Sequence, residues 1–168
     1  MPLMVAAKNK TLSPGQRMML QRGINAAARV VGMTPGLPLV WAPVAVAIYV
    51  VESHFGALQA RDHTYFRLPP REGDRVAHVT ESTIIHGVRQ EVPRQVRQYT
   101  ATRDAFQGLG EWMLEQQGEM LRRAASPVAL AHAMGPVLQP GEPGYGYRLE
   151  TVMHQRGLLQ TFGFPYVA

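Results

Sequence analysis

The stretch WAPVAVAIYVVESHFG, residues 41–56, decides how this chain is read. It is apolar almost without interruption as far as Val51. It then delivers one carboxylate, Glu52, followed by Ser53, His54, Phe55 and Gly56. Pro43 suits the first turn of a helix, where its missing N–H would find no partner anyway. Gly56 suits the stop. A helix that is apolar all round is expected to be buried. A carboxyl at its C-terminal end is desolvated and meets the negative end of the helix dipole. Both effects favour the neutral form, so the expectation is a raised pKa.

A carboxylic acid that keeps its proton near neutral pH is what a glycosidase needs to protonate a leaving oxygen. The same position also fits a plain structural role, as the point where a core helix meets water.

Bulk properties narrow the field. A chain of 168 residues, 46% hydrophobic and 17% charged, suits one domain with a real core. The 16 glycines and 13 prolines imply many turns. Without cysteine, disulfides and thiolate metal sites are excluded. The formal net charge is +5, carried almost wholly by arginine, since the only lysines are Lys8 and Lys10. Such a surface suits nucleic acid, anionic lipid or an anionic wall polymer, and charge alone does not choose among them. The first residues lack a secretory pattern, and the run 37–51 is too short and proline-interrupted for a membrane span. The expectation is a soluble protein made in the cytoplasm.

Working outward, residues 1–12 read as an N-terminal arm and 13–168 as a single domain. Ser13-Pro14 opens a helix expected to reach Val31, with Gly32 as its stop. Residues 57–75 read as loop, anchored by Tyr65 and Phe66. Residues 75–99 are rich in β-branched side chains around Gly87 and predict a small antiparallel hairpin, with Pro93 at an edge. Thr102 is expected to cap a helix over 103–117 that continues to Arg123 with a break near Gly118. Ser126-Pro127 opens a short helix ending near Gly135. Residues 136–146 read as a turn-rich loop, and Tyr147 to Gln155 as a last helix. The fold class is therefore α+β, mainly helical with a small β lobe. Such a layout can hold a cleft between the lobes.

Four segments then fall in order: VVESHFG with Glu52, HTYFRL with Tyr65 and Phe66, HVTES with Glu81, and VRQYT with Tyr99. In this order they resemble the glucosaminidase family of peptidoglycan hydrolases, which includes autolysin domains and the wall-cutting domain of the flagellar rod protein. The resemblance spans roughly residues 37–157. It implies a lysozyme-like fold and a β-1,4-linked N-acetylglucosamine/N-acetylmuramic acid substrate. Carried over, it makes Glu52 the general acid and Phe55 an aromatic of the sugar cleft. Phe66, with Tyr65 beside it, resembles the aromatic of the family's second motif, in which Arg67 replaces a glycine. Glu81 resembles the second carboxylate, which orients or activates water; a solvent-facing strand glutamate is the alternative. Tyr99 resembles the strand tyrosine.

The family's closing loop departs here to PGEPGYGYRLE. Tyr147 resembles the later, helix-start tyrosine, and Tyr145 stands as the candidate substitute for the earlier one. This departure leaves open a non-catalytic structural or interaction protein, of a phage tail or secretion assembly, that keeps the scaffold.

The resemblance implies no cofactor. The six histidines have no metal-ligand spacing, so no metal site is expected. No nucleic-acid motif is present. Trp112 and Met113 are assigned to packing, and Arg89, Arg94 and Arg97 to a solvated face or to contact with wall carboxylates. The expected partners are peptidoglycan glycan strands and, for delivery to the wall or periplasm, a virion or a flagellar-type assembly.

Overall fold

The structure, a computed structural model, describes residues 11–53 and 63–165. The arm read over residues 1–12 lies outside them except for Thr11 and Leu12.

Helix α1 (Pro14–Met33) begins with a capping box. The Ser13 hydroxyl accepts from the Gln16 amide at 3.1 Å, and the Gln16 side chain accepts from the Ser13 amide at 2.9 Å. Gly32 does not end this helix. The chain leaves at Thr34 and turns at Gly36, whose φ of 85° is the left-handed value that favours glycine. Helix α2 (Trp41–Ser53) is the apolar segment, and every residue from Trp41 to Val50 is buried. It packs against α1, against α3 (Thr102–Arg123) and α4 (Pro127–Leu138), and against α5 (Tyr145–Gln155) and the short α6 (Leu158–Thr161). A helix surrounded on all sides has no face left for polar residues, which is why its sequence shows no amphipathic period. Each large side chain buried there stabilises the fold by about 1.5–3 kcal/mol.

An aromatic cluster extends this core. Tyr49 meets Tyr65 and Phe106 at ring-centre distances of 5.1 and 5.5 Å. Phe66 meets Tyr65 and Phe106 edge-on at 4.8 and 5.0 Å. Such pairs contribute about 0.5–1.5 kcal/mol each beyond burial. Thr102 does not cap α3. The N-cap is Ala101, and the buried Thr102 hydroxyl instead bonds the Tyr65 phenol. The break in α3 falls at Gln117, with φ −133°, one residue before Gly118. Helix α4 runs past Gly135 and through Pro136 to Leu138. Ser126 caps it by accepting from the Ala129 amide at 3.1 Å. Helix α5 starts at Tyr145, two residues earlier than the sequence suggests.

Strands β1 (Val76–Ile85) and β2 (Val88–Arg97) form one antiparallel hairpin. His86 and Gly87, with φ of 52° and 77°, make the two-residue turn that matches strand twist. Pro93 lies opposite Thr80 in this two-stranded sheet, where no inner strand position exists for it to disrupt. The base of the hairpin is tied to the loop before it. The Arg97 amide donates to the Leu68 carbonyl at 2.9 Å, and the Gln98 amide to the Arg75 carbonyl at 2.8 Å. Arg97 itself is buried and belongs to no solvated face. Its Nε donates to the Pro69 carbonyl at 2.7 Å and lies 3.3 Å from Asp74. Together these elements are a mainly helical lobe carrying a small β lobe, as the α+β reading expects.

Candidate active site

Glu52 lies in the last turn of α2, where the buried helix reaches a cleft. Burial of the preceding turns places the carboxyl there: ten consecutive buried residues leave the helix end as the first point where a charged group meets solvent. The cleft is shallow and open to solvent, with a volume of about 90 Å³. Its helical wall carries Glu52, Tyr145, Ile48 and Trp112, and its other wall carries Arg67, Glu81 and Arg94.

Tyr145 opens α5 and is buried, with its hydroxyl donating to Glu52 Oε1 at 2.6 Å. Burial, then the adjacent Glu52 charge and hydrogen bond, push the Tyr145 pKa far above its usual range. The phenol is therefore a permanent donor, and Oε1 a committed acceptor. Among the described residues none is bonded to Oε2, so one oxygen of Glu52 is held and the other is left for the cleft. No arginine is paired with Glu52 among the described residues.

Glu81 reaches the same cleft from β1. Ala77, Val79 and Glu81 alternate onto the more buried face of that strand. Arg94 on β2 lies opposite Val79, so Glu81 and Arg94 are diagonal neighbours on one face. Arg94 Nη1 contacts both Glu81 oxygens, at 2.9 and 3.0 Å. Arg67 Nη1 adds a longer contact to Oε1 at 3.4 Å. The second carboxylate is thus held by two guanidiniums and not turned to bulk solvent.

Arg67 sits at φ 49°, a left-handed conformation that costs a non-glycine residue roughly 1–2 kcal/mol. At this position the resemblance has a glycine. Its Nε is buried with no hydrogen-bond partner among the described residues.

The remaining aromatics divide. Tyr65 and Phe66 line the cleft, but both are nearly fully buried, so they form its floor more than an exposed sugar platform. Tyr99 packs at the hairpin base over Gly108, its hydroxyl 3.5 Å from Arg97 Nη1, and it does not line the cleft. Tyr147 is 67% exposed and stands edge-on against His132 at 4.5 Å, also away from the cleft. Phe55 lies outside the described residues. Trp112, assigned to packing on sequence, does pack against the core but is only half-buried and also lines the cleft, whereas Met113 is fully buried. The signal was its phase: Phe106, Leu109 and Met113 mark the core stripe of α3, and Trp112 falls at the stripe's margin. Val137 to Gln139 also line the cleft, because α4 continues beyond Gly135.

This architecture, with a carboxylate at the end of a buried helix facing a β hairpin, is the lysozyme-like fold of glucosaminidase-type peptidoglycan hydrolases. The chain superposes on the catalytic domain of the autolysin Auto from Listeria monocytogenes with a TM-score of 0.72, at 10% identity, over 95% of this chain and 94% of that one. It superposes on a peptidoglycan hydrolase from Sphingomonas sp. A1 at 0.64, with 20% identity, over 86% and 96%. The glycoside hydrolase domain of Salmonella typhimurium FlgJ gives 0.61 at 19% identity, over 86% and 97%. At these identities the likeness is one of fold. No protein-family model matches the sequence, and no curated protein matches it.

Proposed function

We propose that this protein is a peptidoglycan hydrolase that cleaves the β-1,4 glycan backbone in the manner of an N-acetylglucosaminidase, with Glu52 as the general acid. The observation that carries this reading is the Tyr145–Glu52 hydrogen bond at 2.6 Å inside a cleft bounded by a second carboxylate. The buried helix fixes the Glu52 backbone, and the phenol fixes one carboxyl oxygen. The other oxygen is then oriented to give its proton to the glycosidic oxygen as charge builds on the sugar. Glu81 Oε1 receives both arginines, whereas Oε2 receives only the shared Arg94 contact. Oε2 keeps lone pairs to orient a water, and the substrate's acetamido group is the other way to stabilise the cation.

The fold neighbours support wall glycan as the substrate class, since they are named as an autolysin, a peptidoglycan hydrolase and a glycoside hydrolase domain. The net charge of +5 suits an anionic wall. We place its action at the bacterial wall, reached on a virion or through a flagellar-type assembly. A proteome of purified particles that lacks the chain argues against the virion route.

Glu52→Gln keeps the shape and removes the transferable proton. It is expected to abolish clearing of purified walls while the far-ultraviolet circular dichroism is unchanged. Clearing at the parent rate by a folded Gln variant overturns the assignment. Mass analysis of the new reducing ends names the linkage.

A further inference from the structure

We propose that Arg67 reads a carboxylate carried by the substrate strand, so that the cleft selects glycans whose alternate sugars are acidic over neutral ones. The inference rests on the glycan-binding reading above and adds a recognition residue to it.

Three observations carry it. First, Arg67 holds a left-handed backbone conformation, φ 49°, that a glycine adopts without strain. A long cationic side chain kept in a costly conformation on a cleft wall points to a role for its head group. Second, the wall holds two guanidiniums against one carboxylate. Arg94 Nη1 bonds both Glu81 oxygens at 2.9 and 3.0 Å, which holds its head group on that carboxylate. Arg67 makes one contact at 3.4 Å, too long for a strong charge-assisted bond. Third, Arg67 is half-buried and lines the cleft that Glu52 also lines. An incoming carboxylate can take the Arg67 fork at little loss, because Glu81 keeps Arg94. A planar guanidinium with free donors, partly withdrawn from water, is the side chain best shaped for that anion.

On a wall glycan the carboxylate has two sources: the lactyl group of a muramic sugar that carries no peptide, or the peptide itself where its attachment has turned the lactyl carboxyl into an amide. Both are absent from a chitin oligosaccharide.

The test uses the full chain with Glu52→Gln, so that binding is read without turnover. Three probes are titrated calorimetrically at low salt: chitohexaose, a peptide-free muramic glycan strand of similar length, and the peptide-bearing strand. The expected result is binding of a carboxylate-bearing strand at least about tenfold tighter than chitohexaose, a preference that shrinks as salt is raised. Adding Arg67→Gly, which relieves the backbone, should bring the three probes within about twofold of one another. Arg67→Lys should restore part of the preference. Loss of preference for the peptide-free strand names the lactyl carboxylate, and loss for the peptide-bearing strand alone names the peptide. Equal affinities in the parent, or a preference that survives Arg67→Gly, overturn the inference while leaving glycan binding intact. Absence of binding to all three probes overturns the glycan reading together with it.

Discussion

The Tyr145 hydroxyl donates to Glu52 Oε1 at 2.6 Å, joining the first residue of one helix to the last turn of another across 93 positions of sequence. This contact orders the carboxyl that the buried helix delivers, and it ties the geometry of the cleft to the docking of α5 on α2.

Tyr145→Phe removes that donor and nothing else of comparable size. It is expected to lower kcat for wall hydrolysis by about 100-fold with a smaller change in KM, the low end of the loss seen when one positioned donor is removed. Stability should fall by about 1 kcal/mol. Steady-state rates on purified walls, read beside a thermal melt, check both. Parent-level kcat in a folded variant would show that Glu52 needs no holder.

Alkaline pH probes the buried phenols. Burial pushes Tyr49 up to about 12 and raises Tyr65 and Tyr145 further. In the unfolded chain these groups ionise near 10.0, so above that pH the folded state binds protons that the unfolded state has released. Their stabilisation is complete below about pH 10 and drains away as pH rises through the folded values. The slope approaches ~4 kcal/mol per pH unit when all three differ by a full proton. Ionisation followed near 295 nm should therefore coincide with loss of helical signal. Stepwise ionisation of all three phenols in an intact fold would contradict their burial.

Gly135 marks the seam that positions Tyr145. A Cβ there would lie 2.9 Å from the Gly146 backbone nitrogen, and one on Gly146 would lie 3.0 Å from the His132 Cα. Backbone cannot yield as a side-chain tip can. Gly135→Ala should cost about 1–3 kcal/mol and lower the melting temperature by roughly 3–10 °C. Wall activity should fall with it, because α5 is displaced at the end that carries the phenol. An unchanged melting temperature would mean that α4 and α5 are not in backbone contact.

Arg97 anchors the hairpin through the Pro69 carbonyl and Asp74. Arg97→Gln strands part of that bonding in a buried place, at about 1–3 kcal/mol. Hydrogen exchange should quicken across 76–97 while α2 stays protected, since the helical core does not depend on the hairpin base. Uniform loss of protection in both would show that the lobes unfold as one unit.

Much of this architecture was legible in the sequence because its causes are local. The capped starts at Ser13 and Ser126 and the left-handed turn at Gly87 are written in a few neighbouring residues. So is the apolar run that must be buried, and with it the helix-end position of Glu52. Thr102 misled because its hydroxyl had a better partner in Tyr65, far away in sequence. Tyr147 misled because exposure of a helical aromatic depends on which neighbour covers it, and Trp112 does pack on the core yet also reaches the cleft, since periodicity alone leaves the stripe's margins undecided.

By itself, then, the order of residues determined the capped starts at Ser13 and Ser126, the hairpin and its turn, which helix lies at the centre, and which carboxylate ends it. These follow from backbone sterics, capping and solvent exclusion within a turn or two. The folded chain alone decided that Tyr145 rather than Tyr147 meets Glu52, and that Glu81 is held by Arg94. It also decided that Arg67 stands at the cleft with donors to spare. Those pairings join residues up to 93 positions apart, and only the packing of α5 on α2 and the register of the hairpin bring them within a hydrogen bond's reach.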